Sequence, residues 1–202
     1  AYAADETYRA AAKQVIAREP ERDLYGIYFN GIDVVGHRFW KYLEPRYYPP
    51  FPAEEIPRFE PVIRRYYEYT DELIGDVLAA RRPGDTVLLV SDHGFHARGH
   101  KDGPPGVLIA AGANVARGAS FAETPRLVDV APTVLALLGL PVAEDMDGRV
   151  LEEMFPPKWR ERRPKETVET YDTEEWRERS GPLASEVDAE LTRRLKSLGY
   201  LD

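Results

Sequence analysis

Short, uniformly apolar segments alternate along this chain with stretches whose apolar residues recur at helical spacing. Thr86–Val90 and residues 106–110 are too short and too evenly apolar for amphipathic helices, and each is typical of a parallel strand buried on both faces. Residues 24–29 predict a further buried strand ahead of them. Strands alternating with helices indicate an α/β fold, a three-layer αβα sandwich with a mostly parallel sheet.

Helical spacing occurs in three places, at residues 5–17, 62–80 and 129–138. Asp5 or Thr7 is available to cap the first of these helices. Six prolines between residues 45 and 61 forbid a continuous helix or central strand, so an ordered excursion is expected there. Beyond Pro156 the sequence turns charged and proline-containing, and apolar periodicity returns only near residues 183–198. A charged C-terminal extension with a terminal helix is therefore predicted over residues 157–202.

The composition limits the metal ligands and the binding partners that this chain can have. The 202 residues are 43% hydrophobic, enough to bury a core, and none is cysteine, so any bound metal must use His, Asp, Glu or hydroxyl ligands. A formal net charge of -8 argues against binding to a nucleic-acid polymer or an anionic membrane surface. No apolar run reaches the length of a membrane span.

All four histidines fall in two short segments that follow predicted strands. Asp33 and His37 come after residues 24–29, whereas Asp92 and His93 directly follow Thr86–Val90. Loops beyond the carboxyl ends of strands face a shared crevice in open α/β sheets. The spacing of Asp33 and His37 places them on one side of a helical turn. Gly36 would let a metal or substrate approach the backbone closely, and Gly94 would let the chain turn after His93.

Each motif alone also fits a plain structural interpretation, with a helix-starting Asp, an exposed His or an ordinary polar loop. Together, two carboxylates and three imidazoles at converging strand ends favour a metal site. The predicted ligands are Asp33, His37, Asp92, His93 and His100. Such hard and borderline ligands without sulfur suit Zn²⁺, Mn²⁺ or Fe.

The order of these motifs resembles the alkaline phosphatase superfamily, and its type I phosphodiesterase/nucleotide pyrophosphatase branch most of all. The resemblance spans nearly the whole chain. It is carried by Asp33-x3-His37, Ser91-Asp92-His93-Gly94, Gly99-His100, residues 129–141, residues 145–149 and the ending at residues 195–201. By this resemblance, residues 1–156 form the C-terminal part of an alkaline-phosphatase-like catalytic domain.

The resemblance also implies how the ligands divide. Asp33, His37 and His100 would hold one divalent ion, and Asp92 and His93 would hold part of a second, with Zn²⁺ as the first choice and Mn²⁺ or Fe as alternatives. His96 competes with His100 for the third position at the first metal. The family's further Asp ligand and its Thr or Ser nucleophile have no counterpart in this sequence, so no catalytic nucleophile is identifiable.

What the resemblance implies in function is a two-metal hydrolase of phosphate esters, a phosphodiesterase/nucleotide pyrophosphatase or a phosphomonoesterase. Its partners would be a small anionic phosphate ester and the missing N-terminal part of the same protein, without which the isolated chain is expected to be inactive. Sulfatase, phosphonate hydrolase or phosphoglycerate mutase activity would use the same metal framework. A non-enzymatic metal-binding module is the remaining alternative.

Overall fold

The computed structural model of this chain describes residues 1–97, 103–163, 165–174 and 192–193. The chain divides into two compact units, which are described separately. The first comprises Ala1–Arg82, His93–Val107 and Glu190–Asp202, and the second comprises Pro83–Asp92 and Leu108–Ala189. No helix in the described ranges is both long and apolar enough to cross a membrane.

Helices make up most of the described first unit. They are α1 (Tyr2–Arg18), α2 (Gly31–Leu43), α3 (Ile56–Phe59) and α4 (Pro61–Ala79), with 3₁₀ turns at Pro45–Tyr47 and Ala53–Glu55. The predicted helices at residues 5–17 and 62–80 are confirmed as α1 and α4. The proline-rich segment between α2 and α4 is an ordered series of short turns, as expected, because proline interrupts longer helices.

The core of the first unit lies between α2 and α4. Val35 of α2 packs with Ile63 and Tyr66 of α4, and these side chains are 6%, 6% and 9% exposed. Ile63 and Tyr66 are three residues apart and share one face of α4 with Leu73, so the helical stripe in the sequence is the buried face.

The predicted cap of α1 is wrong. Ala1 occupies the N-cap position, and Asp5 lies inside the helix, where it is 1% exposed. The Thr7 hydroxyl is exposed and donates to the carbonyl oxygen of Ala3 at 2.8 Å. The helix starts ahead of both polar residues because the alanines at positions 3 and 4 are strong helix formers.

The strand predicted at residues 24–29 is not formed. The exposure of the side chains alternates along this segment. Leu24 and Tyr28 are 56% and 74% exposed, whereas the side chains at positions 25, 27 and 29 are partly buried. Both strand pairs in the described part of the chain are made by other segments. An apolar run becomes a strand only when a neighbouring strand completes its hydrogen-bond ladder.

The second unit contains the strands of the described chain. They are β1 (Thr86–Val90), β2 (Leu108–Gly112), β3 (Val142–Ala143) and β4 (Thr167–Val168), and its helices are α5 (Val130–Leu137) and α6 (Pro157–Arg162). The strands form two small sheets, β1 with β2 and β3 with β4. The protein is thus a mixed helix and strand chain, compatible with the predicted α/β class.

The direction predicted for β1 and β2 is wrong. They pair antiparallel, with Thr86 opposite Gly112 and Val90 opposite Leu108, whereas β3 and β4 are parallel. Parallel strands need a crossover connection, usually a helix, and residues 91–97 and 103–107 between β1 and β2 contain none. Burial on both faces is also not observed, because Ile109 of β2 is 54% exposed. Apolar composition predicts a strand but not its direction.

A buried carboxylate stabilises the start of α5. Asp129 is 1% exposed and ends the 3₁₀ turn Leu127–Asp129 that precedes α5, in agreement with the helix predicted at residues 129–138. Its carboxylate accepts hydrogen bonds from the backbone N–H groups of Arg126 at 2.7 Å and Arg149 at 2.9 Å. Burial alone raises the pKa of Asp129, but these two donors outweigh it and hold the pKa below the ordinary value.

Beyond Pro156, α6 and β4 are the described elements of the predicted C-terminal extension. Trp159 of α6 stacks on Phe155 with ring centroids 3.9 Å apart, next to the buried cluster of Leu151, Met154 and Phe155. The predicted boundary between residues 156 and 157 stays a prediction. The terminal helix near residues 183–198 lies, apart from residues 192–193, outside the described part of the chain.

Candidate functional site

Asp33 and His37 lie on one face of α2, as their spacing predicts. The Asp33 Oδ1 atom is 3.5 Å from His37 Nε2, and the two side chains are 17% and 19% exposed. Residues four apart on an α-helix are neighbours on its surface, so the pair follows directly from the helix itself. The carboxylate stands in the first turn of α2, where the helix dipole favours a negative charge.

His93 reaches the same carboxylate from a distant part of the sequence. Its Nε2 atom is 4.0 Å from Asp33 Oδ1, and its side chain is 24% exposed. Asp33, His37 and His93 all belong to the first unit. The structure therefore brings together three of the five residues that the sequence predicts as metal ligands.

A backbone contact fixes which nitrogen of His93 faces Asp33. The Nδ1 atom lies 2.8 Å from the carbonyl oxygen of Gly94. A carbonyl oxygen only accepts, so this bond requires a proton on Nδ1, and in the neutral ring Nε2 then carries the lone pair. In that state the His93 Nε2 lone pair lies 4.0 Å from the Asp33 Oδ1 atom, and a proton or a metal cation beside the two atoms would stabilise the pair.

Phe95 forms the apolar side of this site, and sequence reasoning missed it. Its ring meets that of His37 edge to face at 5.0 Å between centroids and lies 4.9 Å from the ring of Trp40. A Cβ added to Gly36 would lie 3.2 Å from Phe95. Gly36 thus makes room for an aromatic ring of the protein, and the space predicted for a metal or substrate is taken by Phe95.

Gly94 is required by close packing. Its N–H donates to the carbonyl oxygen of Pro104 at 2.9 Å, and a Cβ at this position would lie 2.5 Å from that oxygen. The φ angle of Gly94 is not positive, so a left-handed backbone conformation is not the reason for glycine at this position. The contact connects the backbone next to His93 to residue 104.

The other predicted ligands are distributed differently. Asp92 is exposed, follows β1 and ends the first segment of the second unit, Pro83–Asp92. His100 lies outside the described residues, and His96, its competitor, is partly buried in the first unit. Which of these two imidazoles completes the first metal site therefore stays open.

The convergent atoms match a metal site in type and approximately in spacing. At bond lengths of about 2.0–2.2 Å, two ligand atoms of a tetrahedral Zn²⁺ ion lie about 3.4 Å apart. The separation from Asp33 Oδ1 to His37 Nε2 is close to that value and the separation to His93 Nε2 is wider. Within the described ranges, no group of three or more His, Asp or Glu side chains is already arranged to hold a metal ion.

Thr133 is excluded as an exposed nucleophile. It is 1% exposed, its hydroxyl donates to the Asp129 carbonyl oxygen at 2.6 Å, and it accepts from the Leu151 N–H at 3.0 Å. Both roles of the hydroxyl are structural. Thr133 lies within α5, in agreement with the helix predicted at residues 129–138.

Comparison with known proteins defines the class of this mixed α/β chain as a phosphoryl-transfer enzyme family. The sequence pattern described as type I phosphodiesterase / nucleotide pyrophosphatase matches residues 2–103, half of the chain, including Asp33, His37, Asp92 and His93. The chain belongs to this family, which is part of the alkaline phosphatase superfamily. The resemblance noted in the sequence is confirmed.

One curated relative supports the same superfamily. The chain is 38% identical over 92 residues to the 2,3-bisphosphoglycerate-independent phosphoglycerate mutase of Shewanella amazonensis, over 42% of this chain. The match spans 18% of the length of that protein. No solved structure matches the chain significantly.

Proposed function

We propose that this chain contributes the metal-binding part of a metal-dependent hydrolase of phosphate esters. The observation that carries the proposal is the convergence of His37 and His93 on the Asp33 carboxylate, in a chain that belongs to a phosphoryl-transfer family. Members of this family are metal-dependent. The donor atoms of the three residues suit a divalent cation such as Zn²⁺, with Mn²⁺ or Fe as alternatives.

In the proposed site, Asp33 and His37 bind one ion together with His100. Asp92 and His93 contribute to the second ion, and the remaining ligands and the nucleophile come from the rest of the protein. The 4.0 Å between Asp33 Oδ1 and His93 Nε2 is wider than the roughly 3.4 Å expected between two ligands of one tetrahedral ion, which favours assigning the two residues to different ions. When bound, such ions activate a hydroxyl nucleophile and stabilise the leaving oxygen of a phosphate ester.

The chain's own residues prepare the site for this chemistry. The bond from His93 Nδ1 to the Gly94 carbonyl occupies Nδ1 and leaves Nε2 as the ring nitrogen that would bind a metal ion. Phe95 packs against one side of the His37 ring and itself contacts Trp40, and an apolar neighbour of this kind strengthens electrostatic interactions at the imidazole. The resulting positive site would attract a small anionic phosphate ester to an otherwise acidic protein.

The proposal also includes the sheet architecture of the complete protein. We expect the complete protein to form an αβα sandwich with a mostly parallel sheet, to which the extended residues 24–29 would contribute a strand. Their alternating exposure supports this assignment. An experimental structure of the complete protein tests it, and a sheet without residues 24–29 would contradict it.

Phosphoglycerate mutase activity is the second candidate, because the 92-residue match is to a protein of that name. Sulfatase or phosphonate hydrolase activity would use the same metal framework with a different nucleophile. Binding of metal without turnover of any substrate by the complete protein would indicate a non-enzymatic metal-binding module.

The experiment combines metal analysis with substrate assays. The complete encoded protein is purified, its metal content is measured by mass spectrometry, and it is assayed with nitrophenyl phosphate, bis-nitrophenyl phosphate, an aryl sulfate, a phosphonate ester and 3-phosphoglycerate. Stoichiometric metal and turnover of a phosphate ester support the proposal. Absence of both bound metal and phosphate-ester turnover would overturn it. The 202-residue chain by itself is expected to bind metal and to be inactive.

A further inference from the structure

A buried carboxylate and a buried phenol connect α1 to α4 in the first unit. Asp5 Oδ2 accepts a hydrogen bond from the Tyr66 hydroxyl at 2.9 Å, and the two residues are 1% and 9% exposed. Burial and the neighbouring Asp5 raise the pKa of Tyr66, so the phenol keeps its proton at neutral pH. A buried carboxylate without a hydrogen-bond partner would lower the stability of the folded protein by several kcal/mol. The bond from Tyr66 therefore helps to keep Asp5 in the core.

This pair lies directly against the first residue of α2. A Cβ added to Gly31 would be 2.0 Å from the Tyr66 hydroxyl oxygen and 2.2 Å from Asp5 Oδ2. The N-cap residue Asn30 makes no side-chain capping bond. The Asp5 carboxylate therefore lies beside the start of α2, where the helix dipole favours a negative charge, although its one observed hydrogen bond within the described residues is the one from Tyr66.

The first turn of α2 carries the candidate site. Asp33 follows Gly31 by two residues and His37 follows it by six. Tyr66 also packs against Val35 in the core of the unit, so the same side chain contacts both the start and the inner face of the helix. Movement of this turn would change the distance between Asp33 on α2 and His93, which comes from a separate loop.

We propose that Asp5 and Tyr66 are positioning residues for the metal site. They fix the first turn of α2 so that the Asp33 carboxylate meets His37 and His93. The metal part of this inference rests on the proposed function. Neither residue touches a bound ion, and both act through the placement of α2. Second-shell residues that orient ligands in this way typically change metal affinity by about 10–100-fold when mutated.

The chain contains a matched control pair. Tyr69, also on α4, donates to Glu6 of α1 at 2.8 Å, one residue along from Asp5. Burial and the hydrogen bond to Glu6 raise the pKa of Tyr69 as well. Removal of this bond weakens the contact between α1 and α4 by the loss of the same kind of hydrogen bond, from a phenol to a carboxylate. It leaves the contact with Gly31 intact, because the neighbours of Gly31 are Tyr66 and Asp5.

The test compares Tyr66→Phe with Tyr69→Phe in the 202-residue chain. Zn²⁺ affinity is measured by titration calorimetry, and hydrogen exchange is measured for the backbone amides of residues 34–37, whose helical acceptors are the carbonyl groups of residues 30–33. Tyr66→Phe is expected to weaken Zn²⁺ binding about 10-fold or more and to accelerate exchange in this turn. Tyr69→Phe is expected to change neither quantity beyond experimental error. Equal effects of the two variants, or no effect of Tyr66→Phe, would overturn the inference.

The two readouts separate this inference from the proposed function. If the wild-type chain binds no Zn²⁺, the metal site is contradicted, while exchange at residues 34–37 still decides whether Tyr66 holds the turn. If Tyr66→Phe does not fold, Asp5→Asn replaces it, with Glu6→Gln as the control. Asparagine keeps an acceptor for the phenol but removes the charge at the start of α2, so exchange is expected to accelerate in Asp5→Asn alone. Equal exchange in these two variants would overturn the inference.

Discussion

Gly31 and Tyr66 approach so closely that a Cβ on Gly31 would lie 2.0 Å from the Tyr66 hydroxyl oxygen. Gly31→Ala is therefore expected to force the phenol away from Asp5 and to lower the free energy of unfolding by about 1–3 kcal/mol, the usual cost of overpacking a core. Chemical denaturation of the chain measures this change.

Gly75→Ala is the matched control for that substitution. Gly75 is exposed in the interior of α4, and a Cβ there meets nothing within 4 Å. Alanine is expected to stabilise the helix by about 0.5–1 kcal/mol. Destabilisation by both variants, or by neither, would contradict the close contact at Gly31.

Asp129 predicts a pH dependence of stability. Its pKa is lowered in the folded protein, so the stabilisation is fully present above the ordinary value of 3.8 and is lost as pH falls through the folded pKa. Asp129→Asn is expected to cost about 1–3 kcal/mol at neutral pH, because one backbone donor loses its acceptor. Urea denaturation of both proteins at several pH values measures the difference, which should narrow on acidification below 3.8. A difference independent of pH would contradict the role of the charged carboxylate.

Phe95 is expected to keep the His37 ring in place. Phe95→Leu removes the edge-to-face contact at 5.0 Å and should weaken Zn²⁺ binding about 10-fold, as loss of a second-shell contact does. Phe59→Leu is the control, because Phe59 packs on Phe39 and Tyr42 in the same unit. If both variants bind Zn²⁺ like the wild type, Phe95 has no role at the site.

Local sequence patterns predicted α1, α4 and α5, because the information for such helices lies within one turn, whereas the full length of α2 was not predicted. The apolar stripe of α4 defines its buried face, and the spacing of Asp33 and His37 places them together once α2 forms. One helix-level prediction, the cap of α1, failed where a distant residue decides the outcome. Asp5 looked like a cap, yet its partner is Tyr66, which lies 61 residues away.

The direction of strand pairing and the position of Phe95 at the site could not be predicted from the sequence either, because both depend on residues that are distant along the chain. The apolar run of β1 indicates a strand, but its direction depends on the path of residues 91–107. Residues 24–29 have strand composition, yet a ladder needs a neighbour. Phe95 carries no polar chemistry that would single it out, and only its packing on His37 and Gly36 shows its place in the site.

The central claim is that Asp33 is a metal ligand, and Zn²⁺ titration of the 202-residue chain tests it most directly. The wild type should bind Zn²⁺, and Asp33→Asn should weaken binding by at least about 10-fold, since the site loses its charged oxygen donor. Asp71→Asn, the same substitution at an exposed position of α4, should bind like the wild type. Equal Zn²⁺ affinity of Asp33→Asn and the wild type, or no binding by the wild type, would contradict the account.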